Sequence, residues 1–375
     1  MSNDRRSEGD PDRADFCDRF PRIAGVYVRE AIAESCRSGA AAVGEHCSHR
    51  LLVTGSAGHL GEALMRKLRA TPRPALGIDI KPSPFTDRVG SICDRSFVRQ
   101  CMRGVRTVIH SATLHKPHVV THTMQDFVDT NVTGSLVLLE EAVAAGVGCF
   151  VYTSTTSTFG AALTPAEGEP AAWVTEDVAP IPKNIYGVTK LAAESLCELF
   201  SRTRNLPVLV LRTSRFFPED DDDASTRTRY ETANSQANEL LYRRVDIEDL
   251  VSAHLLAEER AHDIGFRRYI ISATTPFSRG DLAGLRRNPA EVVRRLFPDF
   301  EALYTAQGWT MFPSIDRVYV NDLAVSELGW RPKYDFQHVL DCLRAGADFR
   351  SPLAREVGSK GYHSAVFDVG PYPVK

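Results

Sequence analysis

Three residues of this 375-residue chain, Thr155, Tyr186 and Lys190, carry the groups that proton transfer at a carbinol requires. A phenol with a pKa near ~10 is a weak acid, and a neighbouring cation makes its anion accessible near neutral pH. Tyr186 and Lys190 stand one helical turn apart in Tyr186-Gly187-Val188-Thr189-Lys190, so on a helix they share a face and can point into one cleft. A threonine hydroxyl can hold the same substrate oxygen that the phenolate deprotonates. Thr155 lies in a hydroxyl-rich stretch, Thr153 to Thr158, directly after the apolar run Val147 to Tyr152. Threonines also suit strands, and a surface Tyr and Lys at this spacing are common, so the meaning of the three rests on the elements around them.

Those elements start at Leu51-Leu52-Val53-Thr54-Gly55-Ser56-Ala57-Gly58-His59-Leu60-Gly61, an apolar run that breaks into three glycines. A short continuous apolar run is what a buried parallel strand requires. Gly55 permits a tight turn, Gly58 lets backbone approach a pyrophosphate, and Gly61 lets helix and strand pack closely. The helix that follows, with Ala63, Leu64 and Leu68 on one face, aims its N-terminal N–H groups at the phosphates. A second strand, Pro74 to Ile78, ends in Asp79, about 20 residues past the glycines, where a ribose-binding acid belongs. A carboxylate there bonds a ribose 2′-hydroxyl and repels a 2′-phosphate, which favours NAD over NADP; Lys81 nearby blunts that preference.

Further strands are expected at Arg88 to Ile92, Val105 to His110, Val147 to Tyr152, Pro207 to Arg212 and Arg268 to Ser272. Helices are expected from Asp94 as N-cap, over Gln125 to Gly146, from Asn184, over Asp246 to Arg260, from Asn288-Pro289 and from Gln337. Strands alternating with helices predict an α/β fold, a Rossmann-type doubly wound parallel sheet, with a smaller C-terminal substrate-binding lobe. The predicted organisation is an N-terminal extension over 1–48, partly disordered and holding a helix-compatible segment Ile23 to Ser38, then the dinucleotide-binding domain over 49–215. A substrate lobe with returning Rossmann elements follows over 216–350, and an irregular tail over 351–375.

Two charged or titratable clusters sit behind strands. His115, His118 and His122 have a spacing that superficially suggests a metal, but no nearby Cys or carboxylate cluster completes a ligand set, and no metal is expected. Loops at the carboxyl ends of parallel strands face the ligand crevice, so His115 and His118 are expected at the substrate. Beyond the sixth strand, Arg212, Arg215, Arg227 and Arg229 share one loop with the acidic run Glu219 to Asp223. The bland reading is a solvated charged surface; the alternative is an anion site.

Composition narrows the class. With 43% hydrophobic and 25% charged residues the chain can bury a large core. A net charge of −3 supplies no basic excess for nucleic acid, and no apolar stretch approaches the ~18 residues of a membrane span. The N-terminus lacks the apolar core of a secretory signal, and the eight cysteines contain no C-x-x-C pair, so a cytoplasmic protein with free thiols is expected.

From Leu51 to about Leu340 the chain resembles the extended short-chain dehydrogenase/reductase family, the NAD-dependent epimerase/dehydratase group. TGSAGHLG is similar to its T-G-x-x-G-x-x-G, YGVTK to its Y-x-x-x-K, Asn131 in NVTG to its structural asparagine, and LGWRPKYDF to its common C-terminal phrase. The resemblance implies Thr155 at the catalytic Ser/Thr position, Tyr186 as base, and Lys190 as its partner, also holding the nicotinamide ribose. It implies NAD contacts from Gly55, Ala57, Gly58, His59, Leu60, Gly61, Asp79, Ser91, Ile92, Ser111, Ala112 and Asn131, and a homodimer. Departures mark the substrate side: Ser91 replaces an adenine-contacting Asp, Thr156-Ser157 replace the Asp-Glu pair of 4,6-dehydratases, and Arg215 replaces an Asn. Thr156, Arg215 and Arg243 join the two histidines as expected substrate contacts. The expected activity is that of a nucleotide-sugar epimerase-like enzyme; the alternative is an NAD(P)-dependent alcohol dehydrogenase or ketone reductase on a non-nucleotide small molecule.

Overall fold

The computed structural model describes residues 50–221 and 223–361. The expectations for the N-terminal extension, including the helix over Ile23 to Ser38, lie outside the described residues.

Seven parallel strands form the main sheet in the order β3-β2-β1-β4-β5-β7-β8. They are β1 (Arg50–Thr54), β2 (Ala75–Asp79), β3 (Arg88–Val89), β4 (Val105–His110), β5 (Cys149–Thr155), β7 (Val208–Thr213) and β8 (Phe266–Ile271). β6 (Ala172–Val174) pairs instead with β9 (Arg317–Tyr319) in a small parallel sheet of its own. Chain order reverses between β1 and β4, which opens a crevice at the carboxyl ends of those strands.

Helices cover both faces. One face packs α1 (His59–Arg69) against a later helix, α6 (Ile247–Ile264), with Leu64, Leu68, Leu250 and Ala257 fully or nearly buried. The other packs α2 (Arg95–Cys101), α3 (Gly134–Ala144) and α4 (Ile185–Arg204) through Val98, Leu138, Ala193 and Cys197. A third apolar cluster, around Tyr304, Trp309, Phe312 and Phe336, builds the C-terminal part. It includes α5 (Thr232–Glu239), α7 (Pro289–Leu296), α8 (Phe300–Gln307) and α9 (Phe336–Ala345).

Side-chain caps match the expected helix starts: Asp94 accepts from the N–H groups of Ser96 and Phe97, Asn184 from Gly187, Asp246 from Glu248, and Asn288 from Glu291. The LGWRPKYDF phrase acts as a dock. Asp249 of α6 accepts from the N–H groups of Lys333 and Tyr334, and the Trp330 indole donates to the Asp249 carbonyl.

Four expectations need correction. β3 stops at Val89 rather than running to Ile92, because Ser91 and Asp94 turn the chain into α2. β5 extends through Thr155, since Thr153, Ser154 and Thr155 continue the ladder with Leu211, Arg212 and Thr213. The helix expected over Gln125 to Gly146 is interrupted by a π-helical segment, Val128–Thr133, centred on Asn131. The tail expected to be irregular from 351 holds α10 (Pro352–Val357), started by Ser351 as N-cap.

The site-bearing helix is fixed to the sheet by one buried carboxylate. Glu194 of α4, fully buried, accepts from Arg212 of β7 through Nε and Nη2, from Ser154 Oγ of β5 at 2.5 Å, and from Arg268 Nε of β8 at 3.1 Å. Breaking such a pair leaves an uncompensated buried charge. Glu194→Ala should therefore destabilise the protein by about 3–5 kcal/mol, read as a lowered urea midpoint; a loss below about 1 kcal/mol would show that the guanidinium of Arg212 finds another partner.

Candidate active site

The crevice between the carboxyl ends of the strands is a cavity in which the glycine turn, β5, α4 and the loop after β7 meet. Gly55, at φ +74°, turns the chain there, and a Cβ on it would lie 2.8 Å from the Ala112 nitrogen. A Cβ on Gly61 would lie 1.9 Å from the Gly55 carbonyl oxygen. Only glycine fits either place. Gly58 is the N-cap of α1 and has no side chain to cover the helix end, so the first turn, His59, Leu60 and Gly61, lines the cavity.

Asp79 closes the turn from below. Its Oδ2 accepts from the Ala57 N–H at 3.0 Å and its Oδ1 from the Lys81 N–H at 2.8 Å. Ser91 and Ile92 follow β3, hydrogen-bonded to β2 through Gly90 N–H to the Asp79 carbonyl. Ser91 Oγ accepts from the Cys93 N–H, and Ile92 is buried against Gly134. Asp79, Ser91 and Ile92 thus gather at one sheet edge beside the turn. A glycine cradle, an open helix N-terminus and an acid at the end of β2 fit a dinucleotide.

A chain of buried polar groups ties this half to α4. Thr54 Oγ1 accepts from the N–H groups of Ser111 and Ala112 and donates to His110 Nδ1 at 2.7 Å. His110 Nε2 donates to Ser135 Oγ, whose own proton goes to the Asn131 carbonyl. The Asn131 amide is spent on the protein: Oδ1 accepts from Thr113 Oγ1 and the Leu114 N–H, and Nδ2 donates to the Leu114 carbonyl and to Thr189 Oγ1. Asn131 therefore positions the loop after β4 and the helix of Tyr186 without lining the cavity.

Thr155, Tyr186 and Lys190 all line the cavity. Lys190 Nζ donates to the Thr153 carbonyl at 2.6 Å and lies 4.1 Å from the centre of the Tyr152 ring. The Thr153 hydroxyl is itself held: His254 Nδ1 donates to the Leu250 carbonyl, so its Nε2 accepts from Thr153 Oγ1 at 2.8 Å. Burial pushes the Tyr186 phenol up to about 12, opposed by the Thr155 hydroxyl beside it. Burial also pushes Lys190 down to about 7, opposed by the Glu194 carboxylate. Either charge alone is disfavoured in this dry site, while a phenolate and an ammonium formed together offset one another.

Among the expected substrate contacts, His115, Thr156, Arg215 and Arg243 line the cavity. His115 is held neutral, its pKa lowered to about 3 by burial and then by the charges of His118 and Lys190. His118 stands behind it, its Nδ1 accepting from the His115 N–H, and is not among the lining residues. Among the described residues no group of His, Cys, Asp and Glu could hold a metal ion.

Sequence reasoning missed Lys116, Leu163, Phe216, Phe217, Arg317 and Tyr319 as lining residues. Phe216 and Phe217 adjoin Arg215 and were readable as its neighbours. Arg317 and Tyr319 come from β9, whose three residues carry no periodic signal and reach the cavity only through pairing with β6.

The fold and site define a dinucleotide-binding α/β protein with a Thr, Tyr and Lys set beside the cofactor cleft. The chain belongs to the NAD dependent epimerase/dehydratase family, which it matches over residues 51–271. An uncharacterized protein of Sinorhizobium fredii is 33% identical over 167 residues, covering 43% of this chain and 39% of that protein. A dTDP-glucose 4,6-dehydratase of Streptomyces antibioticus is 27% identical over 323 residues, covering 76% of this chain and 88% of the relative. This chain spans about half the length of most curated relatives it matches. Among solved structures, UDP-glucose 4-epimerase of Thermotoga maritima with UDP-glucose has a similar fold, with a TM-score of 0.54 at 21% identity over 79% of this chain and 99% of its own.

The lowered Lys190 pKa has a measurable consequence. Between about pH 7 and the usual lysine value of 10.5 the unfolded chain binds a proton that the folded one does not, so native stability falls as pH falls through that window. Lys190→Met removes this dependence. Its Tm relative to that of the wild type should rise as pH is lowered from 10 to 7 and then level off; a pH-independent difference would mean that Lys190 is not desolvated.

Proposed function

We propose that this protein binds NAD along the glycine turn and acts as a nucleotide-sugar epimerase-like enzyme. The observation that carries the reading is the lining of the cavity. It combines Thr155, Tyr186 and Lys190 with three guanidinium groups, Arg215, Arg243 and Arg317, and the described lining residues include no Asp or Glu. Such a surface suits a hydroxyl-bearing substrate that also carries phosphate, because guanidinium forks match phosphate oxygens. The family assignment, the dTDP-glucose relative and the UDP-glucose-bound structural neighbour support the same class.

NAD, when bound, supplies a reversible hydride acceptor, so an epimerisation ends with no net oxidation. The chain's own residues handle the proton. Tyr186, as the phenolate that the Lys190 ammonium stabilises, takes it from the substrate hydroxyl and becomes the neutral phenol, and the Thr155 hydroxyl fixes the reacting oxygen. His115, held neutral, can hydrogen-bond substrate without adding charge. A 4,6-dehydratase mechanism has less support, because Thr156 and Ser157 stand after Thr155 where such enzymes carry acids.

A second reading, an NAD(P)-dependent alcohol dehydrogenase or ketone reductase on a non-nucleotide substrate, draws on one observation: Arg215 and Arg243 are ion-paired with Asp221. Calorimetric titration of the NAD-loaded protein with UDP and dTDP separates the two. Saturable binding of either nucleotide supports the first reading, and binding of neither supports the second.

We also propose a homodimer and a cytoplasmic location. Met124, Val128, Val188 and Leu199 are exposed apolar residues on α4 and the helical segment before α3, a surface that a second copy could cover. Five cysteines are free thiols among the described residues, as a reducing compartment requires. No helix among the described residues is long and apolar enough to cross a membrane.

Tyr186→Phe should keep NAD affinity within a few-fold while turnover falls at least about 100-fold. Turnover near the wild-type level in that variant would remove Tyr186 from the proton-transfer role.

A further inference from the structure

The arginines that line the cavity are already in use. Arg215 donates Nη1 to Asp221 Oδ2 at 3.0 Å and Nη2 to the Asp220 carbonyl at 3.0 Å. Arg243 forms an ion pair through Nη2 with Glu239 Oε1 at 2.7 Å and donates Nη2 to the same Asp221 oxygen at 3.3 Å. Arg244 donates Nε to Glu239 Oε2 at 2.7 Å and Nη1 to the Phe217 carbonyl at 3.0 Å. Three guanidinium groups therefore share two carboxylates.

The two carboxylates are not equivalent. Glu239 is at the end of α5, 1% exposed, and its two oxygens serve Arg243 and Arg244. Burial raises its pKa, but Arg244, Arg243 and Arg215 together hold it at about 2. It is a fixed part of the cluster. Asp221 belongs to irregular chain between β7 and the short helix Ala224–Arg229. Its burial raises its pKa and Glu239 adds to that, outweighing the opposing pull of Arg215 and Arg243. The carboxylate on the irregular segment is thus the less comfortably held of the two.

The approach to Asp221 is anchored. Glu219 accepts from Ser359 Oγ at 2.9 Å and from the N–H groups of Lys360 and Gly361, and it pairs with His59 at 2.8 Å. An exchange at Asp221 can then be local, leaving Glu219 against the first turn of α1.

The geometry points to Asp221 as an internal anion that holds the donors of Arg215 and Arg243, so that the phosphate groups of a substrate bind by displacing its carboxylate. This rests on the nucleotide-sugar reading and adds how the site selects: only a ligand with enough anionic oxygens to replace the carboxylate gains these two arginines. A neutral alcohol leaves these two pairs intact. Asp221 of the acidic run and the arginine cluster, which look opposed in the sequence, then form one exchangeable site.

The test is calorimetry on NAD-loaded wild type, Asp221→Asn, Arg215→Gln and the double variant, each titrated with UDP, dTDP and inorganic pyrophosphate. Asparagine keeps the shape and removes the competing charge, so Asp221→Asn should bind UDP or dTDP about tenfold more tightly than the wild type does. In the Arg215→Gln background the same substitution should change affinity much less, which separates competition from a general fall in negative potential. Unchanged NAD affinity reports an intact fold. Wild type that binds nucleotide while Asp221→Asn binds it equally or more weakly overturns the inference and leaves the nucleotide-sugar reading standing. If no variant binds UDP, dTDP or pyrophosphate, both are overturned.

Discussion

Glu194 is the point through which the site is held. It lies one helical turn beyond Lys190 on α4, and its carboxylate gathers Ser154 from β5, Arg212 from β7 and Arg268 from β8. Ser154 is the neighbour of Thr155. One buried anion therefore sets the distance between the strand that carries the threonine and the helix that carries the tyrosine and lysine. The cost of burying it is offset only because several donors converge with good geometry, and that demand makes the arrangement unique.

The N-terminal part of α4 is held as well by neutral groups. From Thr54 through His110, Ser135 and Asn131 to Thr189, each proton has an assigned acceptor, and the chain crosses from β1 to the helix of Tyr186. Because these groups are buried, each unmade bond would cost about 1–3 kcal/mol, so the network orders the glycine turn and the catalytic helix together. The π-helical segment around Asn131 is the local price of this: it lets the amide reach Leu114 and Thr189 at once.

Dryness does the chemical tuning. The same burial that raises the Tyr186 phenol lowers the Lys190 ammonium, so neither group carries charge cheaply alone. On the substrate side the opposite condition holds. There, Arg215, Arg243 and Arg244 are kept charged and close together by Glu239 and Asp221, and the aromatic pair Phe216 and Phe217 lines the same cavity. A half that generates charge only in pairs thus adjoins a half that stores charge in pairs.

The division between what could be read along the chain and what could not follows interaction range. Gly55, Gly58 and Gly61, the Asp79 acid, the caps Asp94, Asn184 and Asp246, and the Tyr186 to Lys190 spacing are local signals, and the parallel order of strands follows from their alternation with helices. Their physics is complete within a few residues: a positive φ, an orphan N–H, one helical turn. The extension of β5 through Thr155 and the helix α10 are settled by pairing or packing with distant segments, which is why local reading misplaced them. The same holds for Arg317 and Tyr319, brought to the cavity by the β6–β9 pairing, and for Asp221, whose sequence neighbours are acids but whose spatial neighbours are arginines. The sequence by itself determined the cofactor-type turn, the sheet and the three chemical groups, because local backbone geometry and periodicity encode them. Only the tertiary structure decided the electrostatics of the substrate side, because a charge takes its meaning from whichever groups folding places within a few ångströms of it.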